Sequence, residues 1–158
     1  MNSLHSHRRR CDHAAFTLVE IMIVVVIIGL LAAMAIPAFA RVREAAQNTR
    51  YISDVRTFAQ AFETYAAKNG AWPANASSGV VPTGMSGELK DSVWVAKNTL
   101  GGRWNWDRNN YGGAAVISVA NLTVSDEQLT AIDAKIDDGD LNTGRVQKIS
   151  GRFCYILE

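Results

Sequence analysis

From Ile21 to Ala40 the chain carries no charged residue at all, and the residue just before that run is an acid, Glu20. Taken back to Phe16 the apolar segment is 25 residues long, about 37 Å as an α-helix against a hydrocarbon core of roughly 30 Å. Such a run predicts a helix able to cross a membrane. Residues 1–15 are polar, with Arg8, Arg9 and Arg10 against a single acid, Asp12. Basic residues of this kind stay in the cytoplasm, which places the C-terminal body on the other side.

Three readings of the segment are open. Ala38-Phe39-Ala40 fits the small-x-small pattern of a secretory signal cut after Ala40, although the run exceeds the apolar length of such signals. An uncut transmembrane anchor is the second. The third turns on Glu20, because a carboxylate at the edge of an uncharged span is costly and is by default a functional candidate. The plainer account of Glu20 is that it snorkels to the interface.

The polarity changes after Ala40 while the period does not. Val42, Ala45, Thr49, Ile52, Val55, Phe58, Phe62 and Tyr65 recur every three or four residues, separated by Arg43, Glu44, Arg50, Asp54, Arg56 and Glu63. This predicts an amphipathic helix with one apolar stripe. Asn69-Gly70, with Pro73 beyond it, supplies the stop. Helix from Phe16 to about Lys68 would be roughly 80 Å long, and a cut after Ala40 would divide it.

Ala15-Phe16-Thr17-Leu18-Val19-Glu20, with a basic leader before it and an apolar helix after it, resembles the type IV prepilin signature, which type II secretion pseudopilins share. The resemblance implies cleavage between Ala15 and Phe16 by a prepilin peptidase, methylation of the new amine, and pairing of Glu20 with the N-terminal amine of a neighbouring subunit. It implies assembly by a platform protein and an ATPase. The family usually carries glycine where this chain has Ala15. Pro37 matches a proline common in the family's apolar helix, and is otherwise a tolerated kink. Tyr65 followed by Asn69-Gly70-Ala71-Trp72-Pro73 also resembles secretion-system pseudopilins.

The body excludes several functions. The formal net charge is +1 and no basic run occurs outside Arg8–Arg10, so nothing indicates a nucleic-acid partner. His5, His7 and His13 all precede the apolar run, which removes histidine-dependent nucleophile systems and histidine zinc sites from the body. No enzyme is expected. Cys11 and Cys154 are the two cysteines; loss of the leader leaves one thiol, expected to be a small core residue.

Within the body, residues 74–87 read as a surface loop and Ser92–Ala96 as a short strand. Arg103–Asp107 and Ala114–Val119 read as strands around the turn residues Asn109-Asn110 and Gly112-Gly113. Trp104 and Trp106 share a face, either covering a small core or forming an aromatic platform for a ligand. Ser125-Asp126-Glu127-Gln128 is a capping box, with Gln128 expected to reach back to the Ser125 backbone. The helix it opens carries Leu129, Ile132 and Ile136 on one face and ends at Gly139. Gly151–Leu157 completes the sheet.

Asp137, Asp138, Asp140 and Asn142, bent by Gly139 and Gly144, offer the oxygen donors a hard cation such as calcium takes. Asp138, Asp140 and Asn142 have the spacing that opens an EF-hand loop, but the glycine falls one place late and Ile149 stands where the closing acid belongs. Some secretion-system pseudopilins hold calcium in a C-terminal loop, which the resemblance brings in. The alternative is a solvated acidic turn. Asp133, one helical turn earlier, contributes if the loop folds back.

The expectation is therefore an α+β, pilin-like chain. It comprises a leader at residues 1–15, a transmembrane helix at 16–40 and a globular domain at 41–158 that includes helix to about 69. The expected role is a structural subunit of a type II secretion pseudopilus. It would sit in the bacterial inner membrane as a single-pass protein with its body on the periplasmic or outer side. A minor type IV pilin for adhesion, motility or DNA uptake is the alternative, and a membrane-anchored binding protein using Trp104, Trp106 or the acidic loop is the other.

Overall fold

The computed structural model describes residues 17–158; the processing residues Ala15 and Phe16 lie outside the described residues. The chain divides into two units, one through Ala40 and one from Arg41 to Glu158. Helix α1, Leu18–Asn69, contains Pro37 and supplies residues to both.

Every described residue of the first unit is exposed, with Leu18, Ile21, Ile28, Leu31 and Phe39 all more than half accessible. By length and composition this stretch of α1 can cross a membrane.

In the second unit, α1 buries Asn48, Tyr51, Ile52, Val55, Phe58, Ala59 and Phe62, the three-and-four spacing of one helical face. The expected stripe is thus correct from Ile52 to Phe62 but misplaced before it. Val42, Ala45 and Thr49 are exposed, and Asn48 and Tyr51 take the inward positions. Thr49 instead turns its hydroxyl to the Ala45 carbonyl at 2.9 Å. The helix ends as the sequence implies. Gly70 has a φ of 69° and donates its N–H to the Ala66 carbonyl at 2.8 Å, a left-handed cap open to a residue without Cβ.

Four antiparallel strands follow: β1 (Arg103–Asn110), β2 (Gly113–Ala120), β3 (Val146–Ile149) and β4 (Arg152–Ile156), in the order β1-β2-β4-β3. Trp104 pairs with Val119, Trp106 with Ile117, and Val119 with Phe153. All five therefore share one face of the sheet, and all are fully buried. That face lies on α1. Phe62 stacks on Trp106 with centroids 3.8 Å apart, Tyr51 on Trp104 at 5.1 Å, and Phe58 sets its edge against Trp104 and Trp94 at 5.0 Å. The Trp106 indole N–H donates to the Pro73 carbonyl at 3.1 Å. The tryptophan pair is core, and the aromatic-platform alternative falls.

Two expectations about local structure also fail. Residues 92–96 are not a strand: Asp91–Val95 form the short helix α2, in which Val93 and Trp94 both donate to the Lys90 carbonyl, at 2.8 and 3.1 Å. Only Trp94 of that helix is buried, with its indole N–H on the Val80 carbonyl at 2.8 Å. One anchoring side chain needs no alternation, so the β-branched composition misled. Helix α3, Asp126–Ile136, starts at Ser125 as expected, the hydroxyl accepting the Gln128 N–H. The Gln128 side chain, however, donates its amide to Asn48 Oδ1 at 2.7 Å. A buried amide is better satisfied by a buried partner than by an exposed helix end, and this bond ties α3 to α1. Leu129 and Ile132 are buried beside it and Ile136 partly so.

Candidate functional site: the helix start and the acidic turn

At the start of α1, Thr17 and Glu20 satisfy each other. The Thr17 N–H and its hydroxyl both donate to Glu20 Oε2 at 2.8 Å, and the Glu20 N–H donates to Thr17 Oγ1 at 3.2 Å. Thr17 thus occupies the N-cap and Glu20 the third helical position of a reciprocal capping box. The signal was present in the sequence as Thr-x-x-Glu. Reading Glu20 only as a charge beside an apolar run overlooked its local role. A carboxylate has about four lone-pair positions, so one oxygen engaged by Thr17 leaves acceptor capacity for a cation.

The second region joins α3 to β3. Asp137 Oδ2 accepts the backbone N–H of Arg145, and that of Val146 at 3.3 Å. This closes the turn onto the first residue of the edge strand. The closure requires Gly144, where a Cβ would stand 2.0 Å from Asp137 Oδ2. Asp138 Oδ1 accepts the Asp140 N–H at 2.9 Å and its Oδ2 the Thr143 hydroxyl at 2.8 Å. Asp140 Oδ1 accepts both the backbone and side-chain N–H groups of Asn142, at 3.0 and 2.8 Å. The Lys148 N–H donates to the Leu141 carbonyl at 2.8 Å. The turn therefore occupies donors along the outer edge of β3, a strand the sequence reading missed because four residues carry too little alternation to register.

The structure brings Asp133, Asp137 and Asp138 together, with one carboxylate oxygen from each lying within 4.8 Å of the others. Asp140 is not in that group, and its carboxylate is engaged with Asn142. Asp133 is fully buried, and neither of its carboxylate oxygens has a hydrogen-bond partner. Burial, with Asp138 and Asp137 adding like charge, pushes its carboxyl up to about 6. Its neighbour Asp138 is held below the usual carboxylate range by the Asp140 N–H and the Thr143 hydroxyl.

Cys154 lies on β4 and is fully buried. Burial pushes its thiol up to about 11, so it is a packing residue and a poor nucleophile at neutral pH.

Comparison with known proteins adds an independent line. The prokaryotic N-terminal methylation motif matches residues 10–36. A type IV major pilin protein PilE1 of Neisseria gonorrhoeae is 32% identical over 146 residues, covering 81% of this chain and 87% of the pilin. Another PilE1 from the same species is 36% identical over 87 residues, 54% of this chain and 41% of the relative. Type II secretion system core protein G of Pseudomonas aeruginosa is 38% identical over 66 residues, 42% of this chain and 46% of that protein. Apart from the long PilE1 match, the chain spans about half the length of the curated relatives it matches. No solved structure matches it.

Proposed function

Because this chain belongs to the type IV pilin family, we propose that it is a structural subunit of a pilus-like filament, and specifically of a type II secretion pseudopilus. The observation that carries the reading is the first part of α1. From Leu18 to Ala40 every residue is exposed, and the side chains include Ile21, Met22, Val25, Ile28, Leu31 and Phe39. Exposed apolar surface on this scale needs an apolar surrounding. A bilayer supplies one before assembly, and the packed helices of a filament supply one afterwards.

In this reading the peptidase cuts between Ala15 and Phe16 and leaves a methylated amine four residues before Glu20. The amine of one subunit meets Glu20 of its neighbour. Two opposite charges taken out of water together are tolerable, whereas either one alone is not. Thr17 holds Glu20 Oε2 meanwhile, so the carboxylate has hydrogen bonds in the membrane before the partner arrives. The platform protein and ATPase of the machine extract the subunit from the inner membrane, with the body on its outer side.

The secretion assignment is supported by the junction after α1. Trp72 donates its indole N–H to Glu158 at 2.7 Å and Pro73 accepts from Trp106, so the pseudopilin-like segment is tied into the core. A minor type IV pilin is the second reading, favoured by the pilin relative matched over most of its length. Deletion of the gene in the host separates them. Loss of exported proteins with surface pili intact supports the pseudopilus; loss of pili with secretion intact moves the chain to the pilus. Failure of both to change contradicts a filament role.

A further inference from the structure

After the apolar run ends at Ala40, α1 continues through a stretch that the folded body does not cover. Arg41, Val42, Arg43, Glu44, Ala45 and Ala46 are all exposed, and the first α1 residue the body buries is Asn48. Among the described residues the ion pairs are Arg50 with Asp54, Lys68 with Glu88 and Lys148 with Asp126. Neither Arg41 nor Arg43 is neutralised by any of them. Apolar surface persists beside the two guanidiniums, with Phe39 76% and Val42 66% exposed. Cations alternating with apolar side chains suit neither hydrocarbon nor bulk water, and fit the layer between the two. The lengths agree. Residues 41–46 rise about 9 Å as helix, and headgroups add roughly 5–8 Å to each side of a hydrocarbon core.

We propose that Arg41 and Arg43 bind the phosphates of anionic phospholipid headgroups in the outer leaflet of the membrane that α1 crosses. This rests on the membrane-anchored reading of α1, to which it adds a lipid class and a leaflet. A guanidinium presents paired N–H donors that match a phosphate, and basic residues just outside a span are drawn to anionic lipid. A neighbouring subunit's carboxylate is the competing partner. The lipid is favoured because the two arginines follow the last apolar residue of the run, Ala40, by one and three positions. Basic residues ordinarily collect on the cytoplasmic flank of a span, so a pair on the opposite flank calls for a ligand there. Cleavage between Ala15 and Phe16 sharpens the effect. It removes Arg8, Arg9 and Arg10 from the inner flank and leaves the new amine there against Arg41 and Arg43 on the outer one. The mature subunit is then held from the side towards which it leaves.

Native mass spectrometry of the purified full-length subunit in detergent, with phosphatidylglycerol or phosphatidylcholine added, reads the binding. Arg8, Arg9 and Arg10 are replaced by Gln throughout, so that only the outer flank is scored. The expected result is preferential retention of phosphatidylglycerol, weakened about tenfold or more when Arg41→Gln and Arg43→Gln are combined. Both positions are exposed, so the Tm of the double variant should match that of the parent. Arg50→Gln, beyond the uncovered stretch, should keep the preference. Equal retention of the two lipids by the parent, or an unchanged preference in the double variant, overturns the proposal. Loss of the preference in Arg50→Gln overturns the assignment to Arg41 and Arg43. A double variant that keeps the preference but is lost from sheared filaments gives the arginines to a neighbouring subunit instead. Carbonate extraction of host membranes tests the anchor separately. A parent chain released by carbonate refutes the membrane reading, whereas a retained chain without lipid preference refutes the lipid site alone.

Discussion

Thr17 and Glu20 cap each other at the first turn of α1, with Glu20 Oε2 accepting two hydrogen bonds from Thr17, each 2.8 Å long. Glu20 is therefore attached to its own helix before any partner reaches it. A local cap and a charged assembly partner make different demands on this side chain. Glu20→Gln keeps an acceptor for Thr17 and removes the charge; Glu20→Ala removes both. We expect both variants to remain in the membrane fraction and both to be lost from sheared filaments. Normal incorporation of Glu20→Gln would show that capping alone accounts for Glu20 and would remove the amine-pairing role.

Trp106 is a fully buried core aromatic, stacked on Phe62 and hydrogen-bonded to Pro73. Truncation to Ala empties a fully buried site and should cost about 3–5 kcal/mol. Urea unfolding of the full-length subunit in detergent measures it. A loss below about 1 kcal/mol would be the signature of a surface position, not of a core position.

The Gln128–Asn48 hydrogen bond is buried on both sides. Gln128→Ala alone leaves Asn48 Oδ1 without its donor and should cost about 1–3 kcal/mol. Adding Asn48→Ala should cost less than the sum of the two single losses, giving a measurable coupling in a double-mutant cycle. Strict additivity would mean that the two side chains are not coupled and that this hydrogen bond does not tie α3 to α1.

How much of this was legible in the sequence depended on how local each signal was. The apolar run, the helix stop at Asn69-Gly70, the hairpin around Tyr111 and the Ser125 cap are all set by residues within a few positions of one another, and each was found. Helix α2 was misread because a single long-range anchor, Trp94 to Val80, decides its conformation. The Gln128 contact was misassigned for the same reason, its true partner lying 80 residues away. At the acidic turn the composition was visible and the geometry was not. Sequence spacing cannot tell a carboxylate that closes a loop, as Asp137 and Asp140 do, from one left buried and unsatisfied, as Asp133 is.

Cys154 supplies a pH-dependent test. Its folded-state value is raised from about 9 to about 11 because burial disfavours the thiolate. The contribution of the neutral buried thiol to stability is therefore complete below about pH 9 and is lost as pH rises through about 11. Native protein at pH 8 should react with an alkylating reagent far more slowly than urea-unfolded protein, measured by mass. Equal rates would mean that Cys154 is accessible in the folded domain.

The most direct test of the filament-subunit account is intact mass and N-terminal analysis of the protein recovered from host membranes. A chain beginning at Phe16 and carrying one added methyl group is the expected result, with Ala15 accepted in place of glycine. A chain beginning at Arg41 would instead make this an exported protein without its apolar helix, and an uncut chain would make it a fixed membrane anchor. Either would contradict assembly through Phe16 and Glu20.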